Sequence, residues 1–345
     1  EVTGLEFAKA SLVLPIGISF YTFELVSYLV DRLRGTAPHY NIRVFSLFIA
    51  LFPHLIAGPI MRHNEIIPQF AYDPLRPGLY ERIGRGLILF FIGFVEKFFI
   101  ADRLASLVDP VFTSAQTGVP PLSEAVSGAL AFSLQILFDF VAYSNMAMGI
   151  GLMLGLMLPV NFNVPYRALN LRDFWRRWHI TLSRWIRDYI YIPLGGSREG
   201  TGRYITAMLI TMGLCGLWHG AGWTFVLWGL GHGVGLLICR AWQLYGFKLP
   251  SFAAWAITLV YVVLLFVLFR AADLETALRM FESLMGHGGW GELWPWATLI
   301  PIAIAGALAL IKVPSFEIAM RMRPSWQTAC VLVVVAVVCV LEVGE

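Results

Sequence analysis

Residues 167–198 read R-A-L-N-L-R-D-F-W-R-R-W-H-I-T-L-S-R-W-I-R-D-Y-I-Y-I-P-L-G-G-S-R, and residues 214–223 read L-C-G-L-W-H-G-A-G-W inside an apolar run. At 100° per residue, Trp175, Trp178, Leu182, Trp185, Ile186 and Tyr189 fall within a sector about 100° wide. Arg176, Arg177, Arg184, Arg187 and Asp188 fall on the other side. That pattern predicts one amphipathic helix, Asp173 to Tyr191, lying in a membrane interface with its tryptophan stripe in lipid or protein. His179 falls about 20° beyond Ile186, at the edge of the stripe. The position suits a group facing a cavity, and it equally suits an ordinary interfacial histidine.

The rest of the chain agrees with a membrane setting. It is 58% hydrophobic and 14% charged over 345 residues, with a mean hydropathy of +0.71. A soluble domain carries roughly 25% charged residues, so the composition indicates an all-α polytopic membrane protein. Eight of the 25 basic residues lie between Arg167 and Arg203. Beside apolar spans, such a cluster marks a cytoplasmic surface. Its interleaving with membrane-anchoring tryptophans argues against a nucleic-acid partner. The cysteines, Cys215, Cys239, Cys330 and Cys339, form no CxxC pair, which gives neither a disulfide framework nor a zinc site.

Taken in order, the first predicted span is Leu12 to Val30, with Glu24 about two turns from its polar end and able to reach the interface. Val44 to Ile60 is broken by Pro53, Gly58 and Pro59, as a re-entrant or kinked segment would be. Gly86 to Ile100 is a further span. Leu122 to Leu158 is apolar throughout, too long for one upright helix across a core of roughly 30 Å. It must be two helices, or one that is tilted and partly buried. Asp139, Tyr143, Ser144 and Asn145 form a polar patch deep in this run, and Gly151 and Gly155 make a small-xxx-small pair for close helix contact. Tyr204 to Trp218, Thr224 to Cys239 (with Gly229/Gly233 and Gly231/Gly235), Ala253 to Phe269, Leu299 to Ile311 and Ala329 to Val343 are the later apolar segments. Leu274 to Met285 reads as a second interfacial helix.

A histidine in a membrane segment is a functional hypothesis by default. His219 is flanked by Trp218, Gly220 and Gly222, and the glycines leave room for a substrate. An imidazole titrates near about pH 6.5 and can take a proton at neutral pH. The alternative is a structural hydrogen bond between helices. Cys215 lies four residues before His219, on the same helix face, so a Cys–His pair carrying an acyl group is a further reading. Asp139 either locks helix packing or belongs to the reaction path. No residue spacing here makes a metal site.

Six strings now carry a resemblance: L-P-I-G-I-S-F-Y-T-F from Leu14, F-P-H-L-I-A-G-P-I from Phe52, F-D-F-V-A-Y-S-N-M-A from Phe138, L-P-V-N-F-N-V-P-Y from Leu158, F-W-R-R-W-H-I-T-L-S-R-W-I-R-D-Y-I-Y-I-P-L-G-G-S-R from Phe174 and G-L-W-H-G-A-G-W-T-F-V-L-W-G from Gly216. In this order they resemble the membrane-bound O-acyltransferase superfamily, in its bacterial branch typified by alginate O-acetylase. The resemblance implies a ring of tilted transmembrane helices around a central tunnel, with interfacial and re-entrant helices. It implies transfer of an acyl group, usually acetyl, from a cytoplasmic thioester toward an extracellular polysaccharide.

By the same resemblance His219 is the catalytic histidine and His179 the second one. Asp139, Asn145 and Trp218 support the tunnel. Val141, Ala142 and Asn145 depart from the family's usual F-D-F-S-G-Y-S-D, which removes its second acid. Residues 1–345 are expected to form one such domain, lacking spans ahead of the first motif and a short tail after the last helix. No bound cofactor is expected. The donor, acetyl-CoA or an acylated carrier protein, is a substrate expected to dock at Arg176, Arg177 and Arg184. The acceptor is the polysaccharide or a partner periplasmic acyltransferase, and the setting is the bacterial inner membrane, crossed several times. Two rivals stay open: D-alanyl transfer to a cell-wall polymer, and a transporter or channel using the histidines to relay protons. The absence of an evident internal repeat argues against an inverted-repeat transporter.

Overall fold

A computed structural model describes residues 17–54 and 58–343, and among these the regular structure is helical. The start of the first predicted span, residues 12–16, and Leu55, Ile56 and Ala57 of the broken segment lie outside the described residues. In order come α1 (Ile18–Leu33), α2 (Ile42–Ile49), a 3-10 turn at Phe52–His54 and α3 (His63–Ile66). α4 (Leu79–Val95) and α5 (Asp102–Ser114) are joined by a π-helical turn at Glu96–Ala101. α6 (Leu122–Met153) is followed by α7 (Leu171–Arg177), α8 (Ile180–Ile186) and a second π-helical turn at Arg187–Tyr191. Then come α9 (Gly200–His219), α10 (Trp223–Tyr245), α11 (Ser251–Arg270), α12 (Leu274–Leu284), α13 (Trp296–Ala309), α14 (Ser315–Arg321) and α15 (Trp326–Val343).

The long apolar run is one helix. α6 has 32 residues, about 48 Å at 1.5 Å per residue, and it is the post against which α4, α5, α11, α12 and α13 pack. Close approach of α4 is set by Gly86 and Gly149. A Cβ on either would sit 2.6 Å from the other's carbonyl oxygen. Gly151 and Gly155, expected at a helix contact, instead end the helix. Gly155 is left-handed (φ 85°), its N–H donates to Leu152 O and Leu156 N–H donates to Gly151 O, the pair of bonds that closes a helix C-terminus.

α6, α10 and α11 are each long and apolar enough to cross a membrane. α9 and α10 form a tight hairpin: a Cβ on Gly216 would lie 2.2 Å from Phe225 O, and one on Gly229 would lie 2.1 Å from Met212 O. The two predicted glycine pairs of α10 face different neighbours. Gly229 and Gly233 meet α9, whereas Gly231 meets Leu265 and Gly235 meets Tyr261, both on α11.

Glu24 does not reach an interface. It is fully buried in α1, and its carboxylate accepts from Met61 N–H at 3.3 Å, tying α1 to the broken segment. The same segment is held at Ile60, whose N–H donates to Thr181 Oγ1 at 3.0 Å. α1 is also anchored at its polar end, where Asp31 accepts from Tyr189 Oη at 2.8 Å and meets His63 Nε2 at 3.2 Å. These bonds tie α1 to the broken segment, to α3 and to the π-helical turn after α8, and Trp185 Nε1 of α8 donates to Phe23 O of α1 at 2.9 Å.

Candidate active site

The predicted amphipathic helix is broken at its histidine. α7 ends at Arg177, Trp178 turns to extended backbone, and His179 sits in the left-handed region at φ 41° before α8 begins. Such a backbone costs a side-chain-bearing residue roughly 1–2 kcal/mol, so something must hold it. Asn161, from the Pro159–Pro165 linker, does so. Its main-chain carbonyl accepts from Ile180 N–H at 2.8 Å. Its side-chain Oδ1 accepts from Thr181 Oγ1 at 2.8 Å and Thr181 N–H at 3.4 Å, and its Nδ2 donates to Ser144 Oγ at 3.2 Å.

That network fixes the tautomer of His179. Nδ1 lies 3.0 Å from Asn161 Oδ1, an oxygen that only accepts, so Nδ1 carries the proton. Nε2 is left as a lone pair, buried and without a hydrogen-bond partner. Val164 is likewise left-handed, at φ 46°. The two left-handed side-chain-bearing residues among those described therefore lie in this one region, where strain commonly marks function.

Beside His179 opens a cavity of about 360 Å³. Its wall takes Ser19 and Phe20 from α1, Asp139, Phe140 and Tyr143 from α6, Trp175, Trp178, His179 and Leu182 from α7–α8, Trp218 and His219 from α9, Trp228 from α10, and Phe266 and Phe269 from α11. Both predicted histidines thus face one space, though 40 residues separate them. His219 ends α9, and its ring stands edge-on to Trp218 at 4.6 Å, Trp228 at 5.2 Å and Phe269 at 5.1 Å. A side chain at Gly220 would strike the Phe225 ring at 2.5 Å, so glycine is needed there for space.

The other predicted residues divide. Trp218 and Asp139 line the cavity. Asp139 is half exposed and paired with Lys97 Nζ at 2.7 Å, which also binds Asp102 at 2.7 Å. Asn145 faces away, because it lies on the other side of α6. It donates to Glu96 Oε2 at 2.7 Å beside a second, small cavity of about 80 Å³. Cys215 is buried but is not in the wall of the histidine cavity, so the Cys–His carrier has no support. Of the arginines, Arg177 is paired with Asp173 at 2.9 Å and Arg184 with Glu65 at 2.7 Å. Arg176 is exposed. At the interfacial end of α8, Asp188 bonds Arg187 at 2.6 Å and Arg62 at 2.9 Å. Partial burial would raise its pKa, but the two guanidinium groups outweigh that and hold it below the usual carboxylate range.

Sequence reasoning missed Asn161 and His232. Asn161 lies within the string quoted from Leu158, but nothing in that string shows its role, which exists only once the linker folds back over α8. His232 lies inside α10, and the rule that drew attention to His219 would have found it.

Comparison with known proteins gives the family. The membrane-bound O-acyltransferase family matches residues 11–274. The chain belongs to that family. It is 44% identical over 286 residues to the probable alginate O-acetylase AlgI of Pseudomonas aeruginosa, covering 82% of this chain and 54% of the relative. It is 39% identical over 312 residues to the peptidoglycan O-acetyltransferase of Helicobacter pylori (82% and 59%), and 29% identical over 242 residues to the teichoic acid D-alanyltransferase of Streptococcus thermophilus (67% and 58%). The chain spans a little over half the length of these relatives. Both histidines, the Asn161 support and the whole cavity wall lie inside the family match.

Proposed function

We propose that this protein is an O-acyltransferase that moves an acyl group, foremost acetyl, from a cytoplasmic thioester toward hydroxyls of an exported polysaccharide, directly or through a partner periplasmic acyltransferase. The observation that carries the proposal is the shared cavity: His179 and His219, from separate helices, face one aromatic-walled space. The O-acetylating relatives support acetyl as the group and a polymer as the final acceptor.

In this reading the helices ring a tunnel through a bacterial cytoplasmic membrane crossed several times. Acetyl-CoA or an acylated carrier docks outside, at Arg176, with Arg177 and Arg184 close by in their ion pairs. A cavity of about 360 Å³ is at the small end of ligand pockets, roughly 300–1,000 Å³. It takes the thioester end while the bulky remainder of the donor stays outside. The His179 Nε2 lone pair accepts from a second polar hydrogen of the acceptor and so orients the hydroxyl that reacts. His219 takes the hydroxyl proton as the oxygen attacks the thioester carbonyl. The C–O bond forms, the C–S bond breaks, and the proton on His219 passes to the departing thiolate. Aromatic walls exclude water, which would hydrolyse the thioester.

The test compares cells carrying full-length wild type or His219→Ala at matched membrane levels, reading acetyl esters on the exported polymer. Loss of esters with export intact supports the proposal. Persistent esters refute the catalytic assignment. D-alanyl transfer is the second reading, favoured by the Streptococcus relative, and the same cells read for esterified D-alanine decide it.

A further inference from the structure

His232 is fully buried in α10, inside a helix that is long and apolar enough to cross a membrane. It is not in the wall of the histidine cavity. Its surroundings are specific. Trp175 Nε1 donates to His232 Nδ1 at 3.2 Å. An indole N–H can only donate, so Nδ1 must be a lone pair and the imidazole proton sits on Nε2. His232 therefore holds the tautomer opposite to His179. Its ring lies parallel to Phe174 (5°, centroids 6.1 Å apart) and stands edge-on to Trp175 at 5.1 Å and Trp228 at 4.8 Å.

Those two tryptophans are the link to the site. Trp175 and Trp228 both line the cavity, and Trp228 is an edge-on neighbour of His219. Trp175 comes from the short helix α7, which ends two residues before His179. One buried imidazole thus sits behind the wall and grips two of its four tryptophans, Trp175 and Trp228. An apolar residue would fill the same space without the strong orientational demand of a single N–H···N bond. A buried histidine with one nitrogen satisfied and the other unpartnered is a costly choice for filling space alone.

We infer that His232 is a positioning residue: through its bond to Trp175 and its packing on Trp228 it sets the wall against which the acyl donor is aligned with His219. This rests on the acyl-transfer reading above. It predicts that His232 acts on turnover and leaves donor affinity almost alone, because the docking arginines lie elsewhere.

The test uses the full-length protein reconstituted in nanodiscs, with His232→Leu, His232→Asn and Trp175→Phe. Asparagine can offer Oδ1 near the position of Nδ1 and keep the bond. The first readout is the indole N–H band of Trp175 by ultraviolet resonance Raman, isolated by subtracting the Trp175→Phe spectrum. The second is kcat and KM for the thioester. His232→Leu is expected to move the band to that of a free indole and lower kcat about tenfold, with KM within about twofold, since misalignment of even an ångström slows a positioned reaction. His232→Asn is expected to restore most of the band and of kcat. A leucine variant with full kcat overturns the inference, as does an asparagine variant no better than leucine in a folded protein. If leucine prevents folding, the asparagine and Trp175→Phe variants decide alone. If the wild type transfers no acyl group, the functional reading fails, while the Trp175 band in His232→Leu separately reports on the bond: a shift shows it exists and an unshifted band shows it does not.

Discussion

Two polar regions lie on opposite sides of α6, and they treat their buried groups differently. On one side, Glu96 sits in the π-helical turn with each carboxylate oxygen matched: Asn145 Nδ2 donates to Oε2 and Ser315 Oγ to Oε1, both at 2.7 Å. On the other side, His179 Nε2, Trp218 Nε1, Trp228 Nε1 and His232 Nε2 are all buried without hydrogen-bond partners. An unmatched buried polar group costs roughly 1–3 kcal/mol. Three of the four, on His179, Trp218 and Trp228, belong to residues of the cavity wall, where a bound molecule can supply the partner. The comparison separates a polar cluster that ties helices together from one gathered around an open space.

Four comparisons, using five substitutions, can break or sharpen this contrast. The largest effect is expected from His219→Ala, which should slow thioester-dependent acylation about 10²–10⁴-fold with little change in melting temperature, as read by initial rates and differential scanning fluorimetry. Next, Asn161→Ala removes the acceptor of His179 Nδ1 and of Thr181. It should cost about 1–3 kcal/mol of stability and also lower the rate at least about tenfold, because His179 loses the acceptor that fixes its tautomer while Thr181 loses its side-chain anchor. A drop in stability without a drop in rate would separate the two roles and weaken the case for His179.

A third comparison sets His179→Gly beside His179→Ala. Both should be slow, but glycine should be the more stable by about 1–2 kcal/mol, since it takes the left-handed backbone freely. Chemical denaturation of the two variants measures this. The smallest change is expected from Glu96→Gln, which keeps an acceptor for one donor. It should cost about 1 kcal/mol or less and leave the rate within about twofold. A large loss of rate there would mean that the Glu96 side also takes part in the reaction.

Much of this was legible from residues alone. The apolar runs, the two histidines, the glycine pairs of α10 and the family followed from composition and short strings. The break at His179 was not legible, because the stripe from Trp175 to Tyr189 keeps helical period straight through it. No glycine or proline marks the site, and the turn is stabilised by Asn161 from a different segment. Asn145 was misplaced for a related reason. It lies six residues beyond Asp139, and on an unbroken helix six residues turn the side chain about 120° around the axis, onto another face. Only the knowledge that α6 is one continuous helix decides which side each of the two faces.

The sequence by itself determined that the chain is helical and membrane-embedded, to which family it belongs, and which histidines to suspect. Those features depend on composition, periodicity and local strings, which act over a few residues. The tertiary structure alone decided that both histidines share one cavity, which nitrogen of His179 carries the proton, that Asp139 is neutralised by Lys97, and that His232 stands behind the wall. Each of these depends on partners tens of residues away, brought together by packing on α6, and no local rule encodes that meeting.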